Sequence, residues 1–345
     1  MKLKVAEYNM EWMKYLFVNG IPVNTPPPAG KAESDWNETE ELTVKSQRLI
    51  EVLKHLDFDM LAVIEGPDSL KNGTKTASGQ LDLWMQTFGL INRNYKTMEG
   101  FVSNGQQELC IIYDQDKLIV DHSPEAKDSF NEPFLVDTLE QSIQEQYKHY
   151  RPPLEATIKR KSDQKKLFKM IVAHAKSKGI FDHVDYARYE QLSFLNRRKL
   201  YAECMHIRQR IDKWTKEGDQ VLVTGDINDG IGSDFYEGRL GKSAIEILLG
   251  SVFEPELILK SVVGKPKLGK YGWSPSSSSF TDTITKNWFT VLIDHILVSQ
   301  GITINDSGVL NPYAEPQLSN LNDDLKNSLK KASDHFPVFA EIEVG

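Results

Sequence analysis

The chain has 345 residues, 40% hydrophobic and 10% aromatic, which is ample for a large core. Its 41 basic and 49 acidic residues give a formal net charge of −8, which excludes a global attraction for nucleic acid or anionic membrane; a polyanion must be met by a local patch or a metal. The two cysteines, Cys110 and Cys204, read as reduced core thiols. No run reaches the ~18 apolar residues of a membrane span, and the chain enters a strand at once without an apolar signal core, so the default expectation is a cytoplasmic protein without membrane contact.

Residues 2–9 read as a strand ending at Asn9. A long irregular passage follows, with Pro22 and Pro26-Pro27-Pro28, too long for an ordinary connection and therefore a flap or an insert near 13–43. Leu49, Ile50, Val52, Leu53 and Leu56 recur at helical spacing and predict a helix over 44–56. Met60 to Ile64 is a buried strand that delivers Glu65 to a rim just before Gly66-Pro67. A short helix is expected over 81–88 and a strand over 109–113, preceded by Glu108. Residues 121–149 carry seven acids against two lysines and read as a second insertion.

Arg151-Pro152-Pro153 enters a strand over 154–158. The basic run 159–166 lies between two strands, so a solvated hairpin turn is favoured over a nucleic-acid patch. The strand over 167–173 leads to His174-Ala175-Lys176, and an apolar stripe from Tyr189 to Ile211 predicts a long helix over 186–214. Strands over 292–299 and 338–344 carry Asp294-His295 and follow Asp334-His335. The stretch 305–331 reads only as polar chain. No internal repeat and no linker divides the sequence, so one domain over 1–345 is expected.

Between the long helix and the loops beyond it, Val221-Leu222-Val223-Thr224-Gly225-Asp226-Ile227-Asn228-Asp229 is the most informative stretch. An apolar, β-branched run ends in Gly and then in carboxylate, amide and carboxylate. If extension persists, Asp226 and Asn228 leave one face while Ile227 turns to the core. That pairing suits a hard cation or a water attacking phosphorus, and equally a strand running into an Asx-rich turn. Six strand ends carry polar groups suited to one job: Asn9, Glu65, His174, Asp226 with Asn228, Asp294, and Asp334-His335.

The pieces Glu7-Tyr8-Asn9-Met10-Glu11, Ala62-Val63-Ile64-Glu65, Val172-Ala173-His174, Thr224-Gly225-Asp226-Ile227-Asn228, Ile293-Asp294-His295 and Ser333-Asp334-His335-Phe336-Pro337, in this order, resemble the endonuclease/exonuclease/phosphatase superfamily with its deoxyribonuclease-I-like fold. The resemblance runs from residue 3 to 343. It implies a four-layered α/β/β/α sandwich of two mixed sheets and Mg²⁺- or Mn²⁺-dependent hydrolysis of a phosphoester. It also implies roles: Glu65 as main metal ligand with Asn9 and Asp334 nearby, Asp226 preparing the water, Asn228 and Asn9 on the phosphate oxygens, and His335 held cationic by Asp294. His295, next to Asp294, should face the other way and pack in the core.

His174 resembles the branch of the superfamily that includes deoxyribonuclease I, sphingomyelinase and the inositol phosphatases. In that branch a Glu before an apolar strand orients the histidine and an Arg touches the phosphate; Glu108 and Arg151 match those places. Lys176 shares the face of His174 if extension continues and would then meet phosphate. Trp36, Tyr271, Trp273 and Trp288 are candidate stacking aromatics, whereas Met10-Glu11-Trp12 discriminates little. The expectation is a metal-dependent phosphodiesterase, first of all a nuclease acting on nucleic acid. The alternatives are a phosphatase or diesterase for a small or lipid phosphoester, and a non-catalytic binding protein of the same fold.

Overall fold

The computed structural model describes residues 1–345 except 70–74, 104–106, 138–143, 181–184, 231, 236, 264–266, 270–271 and 282–285, with the backbone alone at 267–269 and 272–274. Twelve strands build two six-stranded sheets: β1 (Lys2–Asn9), β2 (Met60–Ile64), β3 (Tyr95–Glu99), β4 (Cys110–Asp114), β5 (Leu118–His122), β6 (Leu154–Arg160), β7 (Lys166–His174), β8 (Val221–Asp226), β9 (Leu259–Ser261), β10 (Asp294–Ser299), β11 (Thr303–Val309) and β12 (Val338–Glu343). The principal helices are α1 (Glu38–Leu56), α2 (Ala77–Phe88), α3 (Tyr186–Lys216), α4 (Ala244–Leu249) and α5 (Asp323–Ala332). The first sheet has the order β11-β12-β1-β2-β4-β3 and the second β9-β10-β8-β7-β6-β5. Both are mixed: β1 runs parallel to β2 but antiparallel to β12, and β8 parallel to β7 but antiparallel to β10.

Strand alternation sorts the side chains into layers. Leu3 and Val5 of β1, with Ala62, Met170, Leu222, Ile296 and Val338, form the core between the sheets. Ala6 and Tyr8, of opposite parity, face α1, α2 and α5 through Leu49, Leu53, Trp84 and Leu329. Ile171, Val223 and Leu297 pack outward against Ile207 and Ile211 of α3 and Ile245 of α4. The result is the expected α/β/β/α sandwich, about 10 Å between facing sheets being the ordinary spacing for such a core.

Several elements differ from the sequence expectation for identifiable reasons. Helix α1 starts at Glu38 rather than near 44, because Asn37 and Glu40 form a reciprocal capping box and three acids occupy the first turn. Helix α5 and strand β11 lie in the stretch that reads only as polar. The helix buries Leu325, Ser328, Leu329 and Ala332 at proper spacing among charged neighbours, and β11 is an edge strand that needs few apolar residues. The basic run is the exposed hairpin turn between β6 and β7. The 121–149 insertion forms a hairpin, Phe134–Asp137 with Gln144–Tyr147, clamped on α3 through Phe134, Val136 and Ala202. No helix among the described residues is long and apolar enough to cross a membrane.

Gly225 makes the central pairing possible. It has φ +137°, and a Cβ there would sit 1.9 Å from the Ala173 carbonyl oxygen on β7. Gly225→Ala should therefore cost more than about 3 kcal/mol, from backbone strain and overlap together, read as a lower urea midpoint. An unchanged midpoint would show that β7 and β8 can part without penalty.

Candidate active site

Parity also explains why polar groups gather at one end. On four strands the residues facing the inter-sheet core change from apolar to polar toward this end. Leu3 and Val5 give way to Glu7 and Asn9, Met170 and Val172 to His174, and Leu222 to Asp226; Ile296 lies behind Asp294 at the start of the antiparallel β10. Register then aligns three of them. His174 pairs with Asp226 across the parallel β7–β8 ladder, and Asp226 pairs with Asp294 across β8–β10.

The side chains form a connected chain. Asp226 Oδ2 accepts from Asn9 Nδ2 at 3.2 Å and lies 3.5 Å from His174 Nε2. Asn9 Nδ2 comes within 3.4 Å of His335 Nε2, which is 3.9 Å from Asp226 Oδ2. His335 Nδ1 meets both oxygens of Asp294, at 3.0 and 2.8 Å, and Asp294 Oδ2 also accepts from Ser277 Oγ at 2.7 Å. His335 is itself held by its backbone N–H on Ser333 Oγ, which donates to the Asn9 carbonyl. His295 faces the other way and lies 2.8 Å from the Asp229 carbonyl through Nε2.

Glu65 follows β2 with φ 57°, and its carboxylate turns back toward this chain. Glu65 Oε2 accepts from the Trp12 backbone N–H at 2.9 Å and from Gln107 Nε2 at 3.1 Å, while Oε1 lies 3.9 Å from His174 Nε2. Arg151 donates to Gln107 Oε1 at 2.5 Å, so Gln107 couples the arginine to the carboxylate. Asp334 sits beside His335, its Oδ1 3.8 Å from Nε2 and its side chain 46% exposed.

Three expected placements change. Extension ends at Asp226: Asn228 takes φ 55°, donates its N–H to Asp226 Oδ1 at 2.8 Å, and gives its side-chain amide to the Ala175 carbonyl at 3.1 Å. Lys176 likewise lies beyond the end of β7. Its backbone N–H is held by Glu203 Oε2 at 2.8 Å. Glu108 does not reach His174. Its carboxylate accepts the backbone N–H groups of Ser69 and Ser103, and His174 Nδ1 is buried without a hydrogen-bond partner among the described residues. The cause is Gln107, whose φ of 66° reverses the parity before β4 and turns Gln107, not Glu108, into the site.

Gln107, Ser277, Glu7 and Glu203 are the residues that sequence reasoning missed. Glu7 had a signal, since it shares the parity of Asn9 in an apolar strand. Glu203 had one too: it falls between Leu200 and Ile207 on the buried stripe of α3. Among the candidate aromatics, Trp36 bonds the Lys31 carbonyl and Trp288 packs against Tyr313. Tyr271 and the Trp273 side chain lie outside the described residues.

Charge is crowded here. Burial, then Asp294, raises Asp226 to about 7, and burial followed by Asp294 raises Glu7 well above the carboxylate range. Burial opposes charge on His335, but Asp294, by charge and hydrogen bond, outweighs it and holds the imidazole cationic. His174 is neutral, because burial and then Arg151 lower it well below the usual histidine value. Glu7, Asp226 and Asp294 thus crowd one histidinium, with Glu65 near Asp226, an excess of buried carboxyl groups that a divalent cation would relieve. Carboxylate and amide oxygens are the donors Mg²⁺ and Mn²⁺ take. Asp226, Asp294 and His335 bring ligand atoms within 4.8 Å of one another, but His335 is already committed to Asp294, so Glu65 and Asn9 fit a cation better.

With this geometry in place, comparison with known proteins identifies the class. Residues 149–335, more than half of the chain, match the Endonuclease/Exonuclease/phosphatase family, and the chain belongs to that family. Enzymes of this family hydrolyse phosphoesters with divalent metal ions. An endonuclease/exonuclease/phosphatase from Bacteroides vulgatus is similar over 100% of both chains, at 15% identity and a TM-score of 0.50. A mannosyl-6-phosphatase from Bacteroides thetaiotaomicron is similar over 99% of each, at 14% identity and a TM-score of 0.50. At such identities the likeness concerns the fold. No curated protein matches the chain.

Glu203 ties the site to α3 and titrates in an accessible range. Burial raises it to about 7, while its carboxylate holds the Lys176 backbone, next to the His174 strand end. The folded-state value exceeds the unfolded one, so this group's stabilisation is complete below about 4.5 and is lost as pH rises through 7, on the order of 3 kcal/mol. Glu203→Gln should therefore gain in melting temperature relative to the wild type between pH 5 and pH 8. A difference that does not vary with pH would refute the shift.

Proposed function

We propose that the protein is a Mg²⁺- or Mn²⁺-dependent phosphodiesterase, and foremost a nuclease, that hydrolyses its substrate by in-line attack of water. The observation that carries this reading is the buried cluster in which Asp226, holding Asn9, lies 3.9 Å from a cationic His335 backed by Asp294. Glu65, with Asn9 and Asp334 nearby, would hold the metal, which supplies neutralisation of charge on a phosphoryl oxygen.

Asp226, raised toward 7 by burial, takes the proton of the attacking water. Asn9 donates one amide hydrogen to Asp226 and, because cationic His335 has no lone pair at Nε2, keeps the other for a non-bridging oxygen. His335 faces the negative charge that grows on the phosphoryl group, and Asp294 keeps it oriented and protonated. Neutral His174, with Nε2 toward Asp226 and Glu65, orients the substrate from the opposite side of Asp226. Arg151, tied to Glu65 through Gln107, serves as a further phosphate contact, and Lys176, within reach of the Arg151 charge, as a second. Asn228 bonds its own N–H to the Asp226 carboxylate and so sets the direction in which that carboxylate accepts.

Purified protein with Mg²⁺ or Mn²⁺ should turn over at least one of single-stranded DNA, duplex DNA, RNA and bis-p-nitrophenyl phosphate, and EDTA should abolish the turnover. Asp226→Asn and His335→Asn should each lower kcat by roughly 10²–10⁴ with an unchanged circular dichroism spectrum. Wild-type activity in either variant would remove that residue from its role. A panel without EDTA-sensitive turnover would remove the function.

A further inference from the structure

The turn after β1 carries a surface that the steps above do not use. Glu11 and Trp12 are consecutive non-glycine residues in the left-handed region, with φ 47° and 55°. This turn points the Trp12 N–H at Glu65 Oε2 and the Met13 N–H at the Glu65 carbonyl, at 2.9 and 3.1 Å. Trp12 is left 45% exposed, with Tyr15, 59% exposed, beside it. Their centroids are 6.1 Å apart at an interplanar angle of 31°, and Lys14 Nζ lies over both rings, at 5.1 and 5.3 Å. Trp84 and Trp214, by contrast, are fully buried packing residues.

We infer that Trp12, Lys14 and Tyr15 form a stacking subsite for the base of a nucleotide substrate. The inference rests on the phosphodiesterase reading and narrows its substrate class. An exposed indole is a large apolar face kept in water, and the strained turn joins it through one peptide group to the carboxylate proposed to hold the metal. Ring and reacting phosphate are thereby held at a fixed separation. A nucleotide presents the matching parts: a flat π face for the rings and a negative phosphate for Lys14. Stacking also suits a chain of net charge −8, since it attracts a base without relying on field strength. The rings stand at the start of a single 3-10 turn, Met13–Leu16, whose N-cap is Trp12, so the patch is the size of one unpaired base and not of a duplex.

Two readouts test this. The first is binding of a dinucleotide and of its abasic counterpart by calorimetry in the Asp226→Asn background, with Trp12→Ala, Tyr15→Ala or Trp12→Phe added. Trp12→Ala should weaken dinucleotide binding roughly ten-fold, Tyr15→Ala less, and Trp12→Phe should restore most of the loss, with abasic binding unchanged throughout. The second is turnover with Asp226 intact, where Trp12→Ala should raise KM for the dinucleotide and leave kcat. Equal losses on both ligands, no loss on either, or tighter binding of a sugar phosphate than of the dinucleotide would overturn the subsite. Absence of turnover in the wild type would instead overturn the phosphodiesterase reading, and the binding series would still decide the subsite.

Discussion

Strand register sets one row of side chains across the second sheet, His174, Asp226 and Asp294, and the site depends on that row. Neighbouring strands are about 4.8 Å apart, so the two aspartates are forced together inside a core that cannot solvate them. The first sheet answers with Asn9, a donor to Asp226, and the turn before β12 answers with His335 against Asp294. Neither sheet could hold its own half of this arrangement in water-free surroundings. The charges are tolerable only while the sheets face each other, which ties the electrostatics of the site to the integrity of the inter-sheet core.

Residues in regular strands were readable by alternation, and residues just past them were not. Asn9, His174, Asp226 and Asp294 lie on strands whose apolar runs give way to a polar residue, Glu65 and His335 were legible only through the motifs around them, and parity placed His295 on the opposite face. Asn228 and Lys176 lie beyond strand ends, where alternation no longer applies. A single left-handed residue at Gln107 exchanged two neighbours, Gln107 and Glu108, between site and scaffold. Glu203 reaches the site from a helix whose spacing marked it as buried without saying against what. The fold was legible where apolar periodicity is strong; β11 and α5 escaped because edge strands and short amphipathic helices need few apolar residues.

Strain is concentrated in the same place. Of the ten non-glycine residues with positive φ among the described residues, five are Glu11, Trp12, Glu65, Gln107 and Asn228. Such conformations cost on the order of 1–3 kcal/mol each and persist only where the surroundings over-determine them. Here each bends the chain where a strand leaves or enters a sheet, so that a side chain or backbone N–H turns into the cleft instead of away. The sandwich supplies rigidity, and these turns convert it into aim.

The order of the chain has a consequence for how such a protein comes into being. Strand β1, which carries Asn9, is central in its sheet, and its antiparallel neighbour is β12, the last strand. Asn9 and His335, in contact at 3.4 Å, are 326 residues apart in sequence. During synthesis the first strand emerges long before the partner that closes its flank, and the first sheet cannot complete until residues near 343 have left the ribosome. A hydrolase built this way brings its reactive groups together only after the whole stretch from Asn9 to His335 has been made.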